Sequence, residues 1–361
     1  MIYECKSCKR KIALSDALPY CGECIRTNYE SLKEKIERIH SLTRKVFSLP
    51  EDIPTGGNAQ CNICINSCKP QDNEYGFCGI TKGIKGRIKY LTGNKNGARL
   101  KWYYDALPTN CVAAWVCAGC SSAGYPKYSY YNKAEYGFKN LAVFYEACNF
   151  NCLFCQNWHF RESAINSKTI TPLQLANKVD AQTSCICYFG GDPTPQFIHS
   201  LATCFEIRKK INRIFRFCWE TNGSINQSLL KIAADLAFES GGCIKIDLKA
   251  YNNNLHRALT ACSNTQTLRN IKFLSSYINE RKDPPFLIVS TLLVPGYIDE
   301  QEIYNISKFL ASINKNIPFS LLGFYPQFYM NDIKPTTLSF AEKCASIARQ
   351  AGLTNIHIAN L

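Results

Sequence analysis

The grouping of cysteines constrains this chain more than any other feature of its sequence. The 361 residues include 21 cysteines, and the odd count argues against complete pairing into disulfides. With 46% apolar residues, a chain of this length can build a core without disulfide bridges. The opening residues show no secretory pattern, and no apolar run reaches the roughly 18 residues of a membrane helix. We therefore expect a cytoplasmic protein without a membrane segment, whose thiols are reduced and directed at metals.

The first cysteine group has the spacing of a zinc-ribbon-like site. Cys5 and Cys8 form one Cys-x2-Cys pair, and Cys21 and Cys24 form a second. Each pair can direct two sulfurs at one ion, and two pairs complete a tetrahedron. We expect zinc, with iron in a rubredoxin-like site as the alternative. The segment 1–27 is then a small unit that depends on its metal to fold.

A helix and a linker are predicted over residues 28–57. Thr27 and Glu30 have capping-box spacing, which predicts that the helix begins at Thr27. Apolar residues then recur at helical intervals as far as Val46. The stretch 49–57, with its prolines and glycines, is typical of a linker.

Residues 58–139 are expected to form a cysteine-rich accessory region. Four of its thiols fall within 18 residues and predict a second metal centre. Their spacing is close to neither a zinc ribbon nor a bacterial ferredoxin, so zinc and an iron–sulfur cluster both stay open. These four residues are Cys61, Cys64, Cys68 and Cys78.

A third group in the same region has only three local thiols, at Cys111, Cys117 and Cys120. A metal there would need a fourth ligand from elsewhere in the chain, so metal binding, packing and redox chemistry all stay open. Most of the cysteines further along the chain are expected to be small apolar core residues. They are Cys185, Cys187, Cys204, Cys218, Cys243, Cys262 and Cys344.

From about residue 140, short apolar runs alternate with helical stretches. Strands are predicted over 141–145, 185–189, 217–219, 243–247, 286–294, 319–324 and 356–358. Helices are predicted over 172–179, 196–210, 225–240, 264–280, 299–315 and 337–351, the first with Thr171 as N-cap and Pro172 at N1. Such alternation predicts an α/β fold whose parallel sheet curls into an open or closed barrel. Chemistry is then expected at the carboxyl ends of the strands.

Directly after the first of these strands, three cysteines share one short loop. Cys148, Cys152 and Cys155 have the spacing Cys-x3-Cys-x2-Cys. Three thiolates can hold three irons of a 4Fe–4S cubane and leave the fourth iron open to a substrate. Zinc is the competing ion, and His159 would be its fourth ligand.

This loop and three later motifs resemble the radical S-adenosylmethionine (SAM) superfamily. Phe154 takes the aromatic position before the third cysteine, and Cys155–Trp158 is similar to the continuation in glycyl-radical-enzyme activating enzymes, such as the pyruvate formate-lyase activating enzyme. The resemblance covers about residues 140–361. The later motifs, each after a predicted strand, are Gly190–Pro193 for the family's Gly-Gly-Glu-Pro, Glu220–Gly223 for its Glu-Thr-Asn-Gly, and Asp247–Lys249 for its Asp-Leu-Lys.

The resemblance implies a partial or full parallel (β/α)6-7 barrel of radical SAM type over residues 140–361, preceded by the zinc-ribbon-like and cysteine-rich segments. It implies an oxidoreductase in which a 4Fe–4S cluster on Cys148, Cys152 and Cys155 receives an electron from a donor such as flavodoxin or ferredoxin. SAM is then cleaved to methionine and a 5′-deoxyadenosyl radical, which abstracts hydrogen from the substrate.

The resemblance also implies which residues bind SAM. An aromatic ring lies near the adenine, paired glycines let the backbone approach the amino group, and a lysine neutralises the carboxylate. Asp192 is shorter than the family's glutamate, which puts its contact with the amino group in question. The residues are Phe154, Gly190, Gly191, Asp192, Glu220, Thr221, Asn222, Asp247 and Lys249.

Three functions stay open. The activating-enzyme-like motifs favour a radical SAM enzyme acting on a protein, as a glycyl-radical activase does. The net charge of +14, with a run of lysines and arginines between Tyr75 and Tyr104, favours modification of RNA, although a solvated basic surface explains it equally well. A non-enzymatic, zinc-stabilised module that binds nucleic acid or protein explains the first 130 residues but not the later motifs.

Overall fold

The N-terminal part of the chain forms a hairpin followed by a long helix. A computed structural model describes residues 2–163 and 168–361. Strands β1 (Ile2–Glu4) and β2 (Lys11–Ala13) pair antiparallel, and helix α1 (Gly22–Lys45) follows. Within the described ranges, none of the helices is both long and apolar enough to cross a bilayer.

The start of α1 differs from the prediction. Its N-cap is Cys21, whose sulfur accepts a hydrogen bond from the Cys24 amide. Thr27 lies inside the helix, where its hydroxyl donates to the Glu23 carbonyl at 2.9 Å. The predicted capping box is therefore wrong, because a cysteine outside the usual capping residues satisfies the first amides.

The accessory region contributes to the main sheet of the protein. Strands β3 (Thr81–Ile84) and β4 (Arg87–Tyr90) form a separate antiparallel hairpin. Strand β5 (Ala98–Ala106) pairs antiparallel with β6 (Lys139–Tyr145), the strand that precedes the three-cysteine loop. The sequence analysis did not predict β5.

The remaining elements alternate as strand and helix. In chain order they are α2 (Phe160–Ser163), β7 (Thr169–Ile170), α3 (Pro172–Ala176), β8 (Thr183–Gly190), α4 (Phe197–Arg208), β9 (Arg216–Thr221), α5 (Gln227–Ser240), β10 (Ile244–Asp247), α6 (Asn253–Thr260), α7 (Thr265–Leu274), β11 (Leu287–Leu293), α8 (Glu300–Ile313), β12 (Phe319–Gly323), α9 (Leu338–Gln350) and β13 (Ile356–Ala359), with 3₁₀ turns at Thr194–Gln196 and Ser275–Tyr277.

The nine-stranded sheet has the order β13-β12-β11-β10-β9-β8-β6-β5-β7. Seven of these strands, from β13 to β6, run parallel to one another. Strand β5 is antiparallel to both of its neighbours, β6 and β7. In the described part of the chain, β13 and β7 are the two edges, so the barrel is open. The expected α/β fold with a partial parallel barrel is confirmed.

Most predicted helices agree with the structure to within a few residues. Thr171 caps α3 with Pro172 in its first turn, and Gln174 completes a capping box. Two differences occur around the predicted helix 264–280: α7 ends at Leu274, and α6 precedes it without having been predicted. Helix α6 is short and depends on its packing against α1, which local periodicity does not show.

Helix α1 is fixed to the barrel at its N-terminal end and to the accessory region at its C-terminal end. The Gly22 amide donates to the Gly296 carbonyl at 3.2 Å. Arg44 is buried, donates to the carbonyls of Pro50 and Phe77, and lies over the Phe77 ring at 3.5 Å. Burial lowers the pKa of Arg44 to about 9. The predicted linker 49–57 is therefore held against the helix through Pro50.

Candidate active site

A cavity of about 390 Å³ opens where the parallel strands end. We call it the strand-end cavity. Four segments that are far apart in sequence reach it, each at or directly after the carboxyl end of one of the strands β6, β8, β9 and β10. Together they contribute every residue that the sequence analysis assigned to the iron–sulfur cluster and SAM: Cys148, Cys152, Phe154, Cys155, Gly190, Gly191, Asp192, Glu220, Thr221, Asn222, Asp247 and Lys249.

The three thiols of the loop 148–155, the cluster loop, face this cavity. Burial raises the pKa of Cys148 and raises that of Cys152 to about 12, so a bound metal must displace protons from both thiols. Their sulfurs do not all lie within 4.8 Å of one another, whereas those of Cys5, Cys8, Cys21 and Cys24 do. This wider spacing fits ligands of separate irons better than ligands of one ion. His159 is exposed and faces Glu162 at 3.4 Å.

Asn149 connects the cluster loop to two other segments. Its side-chain oxygen accepts from the side-chain amide of Asn222 at 2.8 Å, and its side-chain amide donates to the Ser224 hydroxyl at 2.6 Å. Its carbonyl accepts from the side-chain amide of Asn66 at 2.7 Å and from the Cys262 thiol at 3.2 Å. The cluster loop, the Glu220–Gly223 turn and the accessory region therefore share one buried hydrogen-bond network.

Asn151 connects the same loop to α1. Its side-chain amide donates to the Thr43 hydroxyl at 2.8 Å and to His40 Nδ1 at 3.0 Å. His40 Nε2 donates in turn to the Ala258 carbonyl at 2.9 Å. Burial lowers the pKa of His40 to about 4, so this imidazole is neutral near pH 7. The side-chain oxygen of Asn151 accepts from the guanidinium of Arg161, which also lines the cavity.

The paired glycines are required by the neighbouring strand. Gly190 has φ +117°, and a Cβ there would lie 2.5 Å from the Tyr145 amide nitrogen. A Cβ at Gly191 would lie 2.4 Å from the Ala147 carbonyl oxygen. The ends of β8 and β6 can approach this closely only without side chains. Asn157, also on the cavity, donates to the Gly190 carbonyl at 3.0 Å.

Asp192 connects two motifs. Its carboxylate accepts from the Thr221 hydroxyl at 3.0 Å and from two backbone amides, those of Thr194 at 2.8 Å and Asn222 at 2.6 Å. Burial raises its pKa, while these hydrogen bonds act in the opposite direction. The shorter acid therefore fixes the Glu220–Gly223 turn against the end of β8.

Asp247 and Lys249 form an ion pair on the cavity wall. Lys249 donates to Asp247 Oδ2 and lies 5.6 Å from the centre of the Phe154 ring. Burial opposes the charged amine, but Asp247 and Cys152 outweigh it and raise the pKa of Lys249. The other oxygen, Asp247 Oδ1, is buried and has no hydrogen-bond partner among the residues described. A cation, an unused acceptor and an aromatic ring match the carboxylate, hydroxyl and adenine groups of SAM.

Lys245 and Cys111 line the same cavity without having been predicted as site residues. Lys245 is buried, lies 3.3 Å from Glu220 Oε2 and donates to Cys111 Sγ at 3.1 Å. Alternation along β10 places Lys245 on the same face as Asp247, so that signal could have identified the lysine. The local cysteine spacing singled out Cys111 as a candidate metal ligand but could not place it on this cavity, because it arrives from the accessory region.

The N-terminal thiols, Cys5, Cys8, Cys21 and Cys24, form a compact group. The sulfurs of Cys5 and Cys24 are 3.9 Å apart, as are those of Cys8 and Cys21. A tetrahedron with metal–sulfur bonds of about 2.3 Å has edges of about 3.8 Å, so these thiols can hold one metal ion. A hydrogen bond from Arg10 lowers the pKa of Cys8 to about 6.

The four thiols predicted as a second metal centre surround a small space next to the cluster loop. Ile63, Asn66, Thr81, Asn149 and Pro195 complete its lining. The sulfurs of this group do not all lie within 4.8 Å of one another, so it is wider than one shared ion requires. The four are Cys61, Cys64, Cys68 and Cys78.

Comparison with known proteins agrees with this geometry. Residues 142–310 match the model of the radical SAM superfamily. A Methanocaldococcus jannaschii protein, named provisionally as a glycyl-radical enzyme activating enzyme, is 30% identical over 184 residues, which cover 49% of this chain and 64% of that protein. The chain therefore spans less than two thirds of this relative. An uncharacterized protein of the same organism is 24% identical over 84% of this chain and 81% of its own length.

Among solved structures, a domain of pyruvate-formate lyase-activating enzyme from Bacteroides vulgatus aligns with a TM-score of 0.39 and 17% identity, covering 48% of this chain and 98% of that domain. The family match begins within β6 and ends within α8, and it includes the cluster loop and the three later motifs. The residues that match the radical SAM superfamily model therefore include all four segments that bring the predicted site residues to the strand-end cavity.

Proposed function

We propose that this protein is a radical SAM oxidoreductase that uses a 4Fe–4S cluster on Cys148, Cys152 and Cys155 to cleave SAM and to abstract hydrogen from a protein substrate. The observation that carries the proposal is the convergence of three widely spaced thiols and the SAM-directed groups on one cavity. When bound, the cluster supplies one electron to the SAM sulfonium, which yields methionine and a 5′-deoxyadenosyl radical.

The protein groups orient SAM and exclude water. Lys249 offers its charge to the carboxylate, and Asp247 Oδ1 offers a buried acceptor to a hydroxyl. The Phe154 ring gives the adenine an apolar surface. The Gly190–Asp192 turn is held rigid by Asn157 and Asn222, so the groups keep their positions before SAM arrives.

A protein substrate is supported by two features. One wall of the cavity is formed by the accessory segment that contains Tyr103 and Cys111, so the accessory region can contribute to binding a large substrate. The named relative belongs to a class that acts on glycyl-radical enzymes. The net charge of +14 also suits an acidic electron donor such as flavodoxin or ferredoxin. Zinc at the N-terminal thiols would be structural.

The test is the formation of 5′-deoxyadenosine by anaerobically reconstituted, reduced protein. Wild type should form it from SAM, and Cys148→Ala and Cys155→Ala should not. Cys204→Ala is the matched control, because Cys204 is buried in α4 outside the cavity. Product formation by either cluster-loop variant would refute the assignment.

RNA modification is the second candidate, favoured by the exposed basic hairpin β3–β4. Its residues Lys85, Arg87 and Lys89 are exposed. Binding of RNA with a steep salt dependence would support it, and no binding at low salt would exclude it. A metal content of zinc alone, without iron or sulfide, would favour the non-enzymatic binding module instead.

A further inference from the structure

A second, smaller cavity adjoins the strand-end cavity inside the barrel. Its volume is about 30 Å³, and Thr109, Asn140 and Lys245 line both spaces. Seven of the 21 cysteines of the chain surround it. We call these residues the barrel thiols: Cys111, Cys117, Cys120, Cys185, Cys187, Cys218 and Cys243.

The parallel strands place three of these thiols in a row. Cys187 on β8 is paired in register with Cys218 on β9. Trp219, which follows Cys218, is paired with Ile244 and donates to the Cys243 carbonyl at 3.1 Å, so Cys243 lies beside Cys218. Neighbouring strands are about 4.8 Å apart, so the three thiols are adjacent. The Cys218 thiol interacts with those of both Cys187 and Cys243.

The segment that supplies the other thiols is held inside the barrel. The Trp115 indole donates to the Ser320 hydroxyl of β12 at 3.2 Å and stacks on His357 of β13 at 5.1 Å. The same serine donates to the Val112 carbonyl at 2.8 Å. Cys117 and Cys120 are thereby brought next to Cys187, Cys218 and Cys243, so this group of three has further sulfurs beside it.

Buried cations adjoin these thiols. Lys245 donates to Cys111 Sγ at 3.1 Å and lies 4.0 Å from Cys187 Sγ. Arg216, which is paired with Glu135, lines the same small cavity. Burying a lysine among neutral thiols is costly, whereas thiolates bound to a metal carry net negative charge that the cations offset. Lys245 also pairs with Glu220 at 3.3 Å, so the thiols share this buried cation with that carboxylate.

We propose that the barrel thiols form a metal centre next to the SAM site and separate from the SAM cluster. Thiolate donors select soft ions, and among the described residues no three of these sulfurs all lie within 4.8 Å of one another, so the occupant is an iron–sulfur cluster rather than one zinc ion. Cys111 and Lys245 place one edge of this centre on the strand-end cavity itself. The inference does not depend on SAM cleavage, because it concerns thiols that lie outside the cluster loop.

The test is the zinc, iron and sulfide content of the full-length protein purified anaerobically. Cys117→Ser/Cys120→Ser changes only the accessory segment that enters the barrel. Cys218→Ala changes only the row of thiols on the strands. Both should lose the metal of one centre relative to wild type. Cys344→Ala is the matched control, because Cys344 is buried in α9 away from the barrel thiols, and it should keep the full metal content.

The identity of the lost metal tests the occupant. Joint loss of iron and sulfide supports a cluster, and loss of zinc without sulfide would contradict it. In a Cys148→Ala background the SAM cluster should be lost while the centre remains, which separates the two proposals. Unchanged metal content in Cys117→Ser/Cys120→Ser would overturn the inference. This double variant decides the question even where Cys218→Ala fails to fold.

Discussion

The N-terminal thiols and the cluster loop use the same side chain for different purposes. Four sulfurs near the N-terminus lie close together, with neighbours 3.9 Å apart, and close around one point. The three sulfurs of the cluster loop are farther apart and face a cavity of about 390 Å³. A closed set of four ligands suits a structural ion, and an open set of three suits a centre that binds a substrate. Ligand number and spacing, rather than ligand type, distinguish the two regions.

The largest expected effect separates the two regions by their metals. Cys152→Ala should remove the iron and sulfide of the SAM cluster and reduce 5′-deoxyadenosine to the background level, while the zinc content stays unchanged. Metal analysis and product chromatography on the same preparation measure both. Loss of zinc with the iron would show that the regions are not independent.

A substitution in the N-terminal thiols is expected to destabilise only the first 27 residues. Cys8→Ala should lose about one equivalent of zinc, because four ligands complete the tetrahedral site. Faster proteolysis of the first 27 residues should follow, with SAM cleavage within about twofold of wild type, since the accompanying loss of structure is local. Lys6→Ala, at an exposed neighbour, is the control and should keep its zinc. Abolished SAM cleavage in Cys8→Ala would contradict a purely structural role.

A third prediction concerns Lys249, which lines the strand-end cavity. Lys249→Met should weaken SAM binding by about 10- to 100-fold, since a hydrogen bond to a charged group contributes about 1.5–3 kcal/mol. Calorimetric titration with SAM measures the change. Lys231→Met, at an exposed lysine paired with Asp235 on α5, should leave the affinity unchanged. Equal affinities for the two variants would remove Lys249 from the SAM site.

The smallest expected effect tests the connection between the two regions. Helix α1 is capped by Cys21, and its residue His40 contacts Asn151 of the cluster loop. Burial lowers the pKa of His40 to about 4, below the unfolded value of about 6.5. The stabilisation by the neutral imidazole is therefore complete above about pH 6.5 and is lost as the pH falls towards 4. This loss amounts to at most about 3 kcal/mol.

Urea denaturation at pH 7 and pH 4.5 measures this pH dependence. Wild type should lose more stability between the two values than His40→Gln, which cannot titrate at this position. An identical loss in the two proteins would show that His40 does not carry the effect.

Local signals predicted the parts of the site that lie within single loops. The cluster loop and the three later motifs each follow a strand, and parallel strands end at the same edge, so their convergence was predictable. Asn149 and Asn151 were missed because their partners, Asn66 and Thr43, come from distant segments. Helix α1 was predicted to begin at Thr27 because capping by a cysteine has no common sequence signature.

The sequence by itself determined which thiols are near one another within a loop, because ligands a few residues apart need only local backbone geometry. It also determined the α/β alternation, because apolar periodicity reflects burial. Only the tertiary structure decided that Asp192 connects two motifs and that Cys187, Cys218 and Cys243 stand side by side. Strand register sets these neighbours, and register depends on packing between segments that are far apart in the chain.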